Sequence, residues 1–277
     1  MRERLPGAED LREGLTFPAR TLSEPDLEPA EGDESPRDWL GHPVSCTDCS
    51  YEETRAAGRC DLGRTCVMDR RGRRIDRFFA TNPAQAERNL AHPYFEVRAI
   101  AGRYASPFRL APLIDDPEPD VRAIAALRLP LSRVAAMARD PEPRVRMALA
   151  QRLQGEALAA LFNDPDYTVR LAAARRATPA LLVRLLRDED PSVRREAARR
   201  APEYALLALS DDADAMVRVE VARRLAPGKL HLLAADPDVR VRFVCAERMP
   251  ADQLDRLADD ADAVVRDAAR GRSGEIR

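Results

Sequence analysis

Four of the chain's five cysteines fall within 21 residues, spaced Cys46-x2-Cys49-x10-Cys60-x5-Cys66. Thiolates are soft ligands, and four of them together in a reducing compartment point to a metal site rather than to disulfides. Two occupants suit them: a tetrahedral zinc ion or an iron–sulfur cluster. Zinc ribbons pair two tight knuckles, and the five residues between Cys60 and Cys66 make a poor second knuckle. A cubane holds its irons at separate corners and accepts looser spacing. Arg59, Arg64, Arg70 and Arg71 would offset the charge of a thiolate-bound cluster. The spacing favours iron–sulfur and leaves zinc open. His42 lies four residues before Cys46, but four thiols complete a site, so it is expected to be a loop residue.

The rest of the chain must position these thiols. Its 277 residues are 45% hydrophobic but only 5% aromatic, and 33% charged, which suits helices with small contact residues better than a sandwich or barrel. No apolar run approaches the ~18 residues of a membrane span. The start, "MRERLPGAEDLREGL", has no apolar core of a signal peptide. A cytoplasmic location and no membrane partner are therefore expected. Residues 1–40 hold 11 acids and 5 bases among Pro and Ser, and are expected to form a disordered acidic leader, with Trp39 and Leu40 pinning its end to the folded body. The other residues carry 36 acids and 40 bases, too weak a bias to declare a nucleic-acid binder. Residues 41–85 form the cysteine module and 86–277 a repeat array.

The repeat is read from Val-Arg pairs at 97–98, 121–122, 145–146, 169–170, 193–194, 217–218, 241–242 and 265–266, every interval being 24 residues. An Asp stands five residues before each valine (Asp116 to Asp260), except in the first unit, where it is His92. Leucine-like residues recur thirteen and sixteen positions after the valine, as at Leu110 and Leu113. "VRAIAALR" has the spacing of one helical face. A Pro or Gly follows, and two leucines three apart suit a short α or 3₁₀ turn. The expected fold class is all-α: a solenoid of eight units, each one helix of about ten residues and one very short helix, because no unit buries its own apolar face.

The polar rows repeat with the architecture. Asp at a helix start accepts backbone N–H bonds and pairs with an Arg of its own or the next unit, so the Asp row and the Val-Arg row are expected to form a structural ladder. A second row, seven after the valine, runs from Arg128 to Arg272 near helix C-termini, where it faces the helix dipole and water. Within it, Arg152, Arg176, Arg200 and Arg224 are candidates for a partner-binding stripe, as are Arg70, Arg71, Arg73 and Arg74 in the basic run after the cysteines. Cys245 occupies a position held by Ala, Val or Leu in other units and is expected to be buried rather than a ligand. The paired acids at 115–116, 211–212 and 259–260 are turn residues at unit starts. No phosphate loop, nucleophile elbow or Ser/His/Asp grouping is present, so neither an enzyme nor a small-molecule substrate is expected.

The "DPxxxVRxxAAxR…L…L" unit behind a four-cysteine segment resembles the leucine-rich repeat variant family across roughly residues 42–277. The resemblance implies an N-terminal [4Fe-4S] module with Cys46, Cys49, Cys60 and Cys66 as ligands. It also implies alternating α- and 3₁₀-helices in a right-handed superhelix without strands. His92 and the divergent last unit depart from the pattern. A scaffold binding a protein or nucleic-acid partner is the expected function, with electron transfer by the cluster as the alternative. Solenoids need covered ends. Arg270 and Ser273 make the last unit polar, whereas the first unit stays apolar and needs the cysteine module as its cap. At about 40 residues that module is too small to fold without its metal.

Overall fold

The computed structural model describes residues 35–47 and 49–274. Each unit opens with a long helix, as in Phe95–Tyr104, Pro119–Arg128, Tyr167–Arg176 and Pro191–Arg200. All eight row valines are completely buried, and so are the residues one turn later, from Ala101 to Ala269. Most of the latter are alanine or another small residue, which lets successive helices pack closely. The helix stops where the next residue is extended ahead of proline, as at Leu129 (φ −75°, ψ 156°) before Pro130. A short turn follows, entirely 3₁₀ in Pro227–Leu232 and Ala251–Arg256, and α then 3₁₀ in Pro179–Leu182 and Val183–Leu185. Leucines three residues apart share one face at three residues per turn, and Leu110, Leu113, Leu206 and Leu209 are all buried. The only pairing of extended chain among the described residues is two isolated bridges, Arg37 with Pro43 and Asp61 with Thr65. The fold is an all-α helical solenoid, and among the described residues no helix is long and apolar enough to cross a membrane.

The ladder joins each unit to the next, but each aspartate takes the arginine of the unit before it, not of its own or the next as expected. Arg122 Nε and Nη2 donate to Asp140 at 2.8 and 2.9 Å, and the same fork repeats from Arg98–Asp116 to Arg242–Asp260. Arg122 Nη1 also donates to the Asp116 and Pro117 carbonyls of its own unit, so one guanidinium spans two unit starts. The aspartate is satisfied as well: Asp140 Oδ1 accepts the Glu142 N–H. Helix capping belongs to a different residue, three before the valine. There Asp166, Asp190, Asp214 and Asp238 accept an N–H of the first turn, while the longer Glu118 and Glu142 make no such bond.

The second arginine row does not face water as expected. Arg128 donates to the Gly102 and Ala105 carbonyls, Arg152 to Ala126 and Leu129, Arg200 to Ala174, Arg175 and Ala177, and Arg224 to Ala198 and Ala201. Each closes the C-terminus of the preceding unit's helix. Arg152, Arg200 and Arg224 are thereby committed within the fold and do not form a free partner-binding stripe. Arg176 is the exception: it is exposed and makes no such bond. The helix it would close, Pro143–Ala150, ends early, with the Arg152 and Leu153 N–H groups both turned onto the Leu149 carbonyl. Gly155 (φ +54°) then redirects the chain. The buried core divides at this place, one cluster running from Tyr51 to Leu149 and the other from Ala150 to Ala269.

At the N-terminal end, helix Gly72–Thr81 stacks on Phe95–Tyr104 as repeat helices stack on one another. Ile75, Phe78 and Phe79 are fully buried in one cluster with Val97, Ile100 and Ala101. His92 is explained here, because no earlier unit offers an arginine. Its Nδ1 accepts the Tyr94 N–H, as the ladder aspartates accept theirs, and its ring lies edge-on to Trp39 at 4.8 Å. Trp39 also stacks on Tyr94, so it does pin the leader's end, whereas Leu40 is 67% exposed and pins nothing. Residues 36–40 belong with the module: Val44 and Arg70 N–H groups bond to the Pro36 and Arg37 carbonyls. Residues 1–34 of the leader expected over 1–40 lie outside the described residues. At the other end Arg270 folds back onto the Ala258 carbonyl and Asp259. Cys245 is fully buried, its Sγ 3.7 Å from the Leu230 carbonyl, and burial pushes its thiol up to about 12.

Candidate metal centre

The cysteine spacing is built by two local turns and one anchor. Cys46 and Cys49 lie in the loop that leads into the short helix Glu52–Ala56, whose first N–H bonds back to the Cys49 carbonyl. Gly58 (φ +70°) ends that helix and turns the chain to Cys60. Residues 61–65 then close a tight loop, with Asp61 and Thr65 exchanging backbone bonds at 2.9 and 2.8 Å around Gly63 (φ +82°). This loop is why five residues separate Cys60 from Cys66: it turns the chain back on itself between the two thiols. Asn82 ties the arrangement to the end of helix Gly72–Thr81, its Nδ2 donating to the Arg59 and Phe78 carbonyls.

All four thiols are free, Cys66 buried and the other three half-buried. Cys49 and Cys60 pack against the cluster of Tyr51, Val67 and Phe78 that continues into the first repeat. Cys66 lies in an environment that favours its thiolate. The neighbouring Cys60 thiol lowers its pKa, burial opposes, and the nearby Met68 and Asp69 N–H groups lower it further, to about 7. Cys60, next to that thiolate and beside Cys49 and Cys46, is pushed up. A sulfur held toward its thiolate form is the chemistry a cluster ligand needs. Among the described residues no group of three or more His, Cys, Asp or Glu is gathered so that it could hold a metal ion. His42 is exposed and bonded to Asp38, away from ligand duty.

The basic run after the cysteines is not uniform. Arg70, Arg71 and Arg73 are exposed. Arg74 is buried and holds Asp69 at 2.6 Å, while its carbonyl receives the Cys66 N–H. It is a structural brace behind Cys66 and drops out of the candidate partner-binding set. Spacing alone could not reveal this, because Asp69 lies on the loop and Arg74 on the helix.

A solved structure described as a leucine-rich repeat variant with a novel repetitive structural motif is 40% identical to this chain, with a TM-score of 0.75 over 83% of this chain and 98% of the other. The chain belongs to the leucine-rich repeat variant family. The model of its "FeS4 cluster" segment matches residues 36–88 and includes all four clustered cysteines. It also begins where residues 36–40 join the module. A protein of Rhodobacter capsulatus described as an uncharacterized 27.7 kDa protein in the nifB 3' region is 47% identical over 89 residues. That match covers 32% of this chain and 36% of the relative's length. The protein is thus an iron–sulfur family module joined to a helical repeat solenoid.

Proposed function

We propose that this member of the family is a non-enzymatic scaffold, whose [4Fe-4S] cluster folds an N-terminal cap on a solenoid that docks a macromolecular partner. The observation that supports it most is the shared core: Tyr51, Val67, Ile75, Phe78 and Phe79 are buried in one cluster with Val97, Ile100, Leu110 and Val121. A cluster held by Cys46, Cys49, Cys60 and Cys66 would tie together loops that have few apolar residues of their own, and its binding energy would be folding energy for the cap. When bound, the group supplies one-electron chemistry. The family's "FeS4" description and the loose x10 and x5 spacings support a cubane over zinc. Three of the four thiols are only half-buried, which supports electron transfer as the second reading.

Anaerobic isolation of the full chain from its native source is the test, with iron, acid-labile sulfide and retained macromolecules measured together. The scaffold reading expects iron and sulfide in equal amounts and a specifically retained partner. Stoichiometric zinc without sulfide would overturn the cluster, and fast electron exchange with a carrier in the absence of any retained partner would favour the second reading.

A further inference from the structure

Resting on the scaffold reading, we propose that units four to six carry a docking groove for an acidic peptide in polyproline II conformation, with a carboxylate at every third residue. The position six after the row valine is arginine in three consecutive units, Arg175, Arg199 and Arg223, and all three are exposed. Units two, three, seven and eight have Leu127, Gln151, Glu247 and Gly271 there, and Arg103 of the first unit is paired with Asp76 at 3.1 Å. Beside the row opens a groove of about 320 Å³, lined by Leu171, Pro191 and Met216 and by Arg175, Arg195 and Arg199.

These arginines are poorly spent within the fold. Arg175 has no ion pair among the described residues. Arg195 and Arg223 reach Glu220 only at 3.5 and 3.4 Å, and Arg199 reaches Glu196 at 3.6 Å. Charge-assisted bonds are ordinarily 2.7–2.9 Å, and a guanidinium has five N–H donors, so most of this capacity faces outward. The ladder and capping arginines, by contrast, make short bonds to carboxylates and carbonyls of the fold. Asp214, which also lines the groove, is occupied in capping its helix.

Spacing selects the occupant. Packed helices lie roughly 8–10 Å apart, so the three arginines form a row of that pitch. A polyproline II chain advances about 3.1 Å per residue with three residues per turn, placing every third side chain on one face about 9 Å apart. Acids on that face meet the arginines, and the residues between them meet Leu171, Pro191 and Met216. A nucleic-acid backbone fits less well, since Glu196 and Glu220 stand among the arginines and Leu171, Pro191 and Met216 share the lining.

The experiment uses the anaerobically purified, full-length protein and a fluorescent (Glu-Leu-Pro)3 peptide, followed by anisotropy. The scrambled control has the same composition with its three acids adjacent. The periodic peptide should bind at least about fivefold more tightly than the control, and should weaken as salt screens the arginine row. Arg175→Gln/Arg199→Gln/Arg223→Gln should lose at least about tenfold while keeping the wild-type circular dichroism and unfolding midpoint. Equal binding by the triple variant or by the scrambled peptide overturns the groove. So does an oligo-dT strand that displaces the peptide and itself binds tighter. If replacing Glu24, Asp26, Glu28, Glu31, Asp33 and Glu34 by their amides raises peptide affinity tenfold, the chain's own leader is the occupant and the proposal of an external peptide falls. A triple variant that still retains the native partner removes the groove alone. A wild-type protein that retains none removes the scaffold reading.

Discussion

Arg146 and Asp164 are 18 residues apart and meet across a unit boundary, Nε to Oδ2 at 2.7 Å and Nη2 to Oδ1 at 2.8 Å, both side chains less than a tenth exposed. The remaining nitrogen, Nη1, holds the Asp140 and Pro141 carbonyls of its own unit. Each such arginine is therefore a clamp whose removal leaves a buried carboxylate and two carbonyls behind.

Arg170→Ala, which deletes the clamp on Asp188, should cost about 3 kcal/mol, because breaking one side of a buried pair leaves the other charge uncompensated. Arg224→Ala, which frees two helix-end carbonyls, should cost about 1–2 kcal/mol. Arg176→Ala, exposed and outside the capping row, should stay within about 0.5 kcal/mol. Urea unfolding midpoints test the ranking, and a loss at Arg176 equal to that at Arg224 would refute the capping role.

The ladder should also fail in acid. Burial pushes the Asp140 carboxyl up, but the Arg122 guanidinium and the Glu142 N–H outweigh it and hold the group below the usual carboxylate range. Asp116 and Asp212 balance in the same direction. A depressed folded-state pKa gives stability that is fully present above the unfolded value, near about 4, and is lost as pH falls through the folded one. Thermal midpoints should be nearly flat from about pH 5 to 7 and drop below about 4. Asp140→Asn should start lower and fall less steeply, and an unchanged acid limb in that variant would contradict the assignment.

Gly102 is a contact point between the first two units: a Cβ there would lie 3.0 Å from both Ile124 Cγ2 and Leu113 Cδ1. Gly102→Ala should destabilise by about 1–3 kcal/mol through overpacking. Gly228, with open space around it, should accept alanine with a change of less than about 1 kcal/mol. Matched denaturation curves of the two variants decide this.

If the cluster folds the cap, Cys49→Ser should unprotect amides of residues 86–130 and leave units five to eight nearly unchanged, since solenoid units communicate mainly with their neighbours. Hydrogen exchange on the full-length variant is the measurement. Wild-type protection over 86–130 would separate the cluster from the cap.

The 24-residue period, the buried valine and leucine rows and the pairing of an Asp row with an Arg row were all legible in the sequence, because each is dictated by what every unit must do alike. The four clustered thiols were legible too, since their type and closeness need no neighbours to be read. Tertiary structure alone decided where the repeated groups find their partners. The ladder arginine reaches the next unit's aspartate rather than its own, and the second row closes the previous unit's helix. Arg176 is left out because the helix before it ends at Ala150. Arg74 is buried against Asp69 although its neighbours Arg70, Arg71 and Arg73 are exposed. Periodicity reports positions within a unit. The distances across a unit boundary depend on how closely helices stack, and that is set by the small residues, helix ends and glycine turns between the repeated positions.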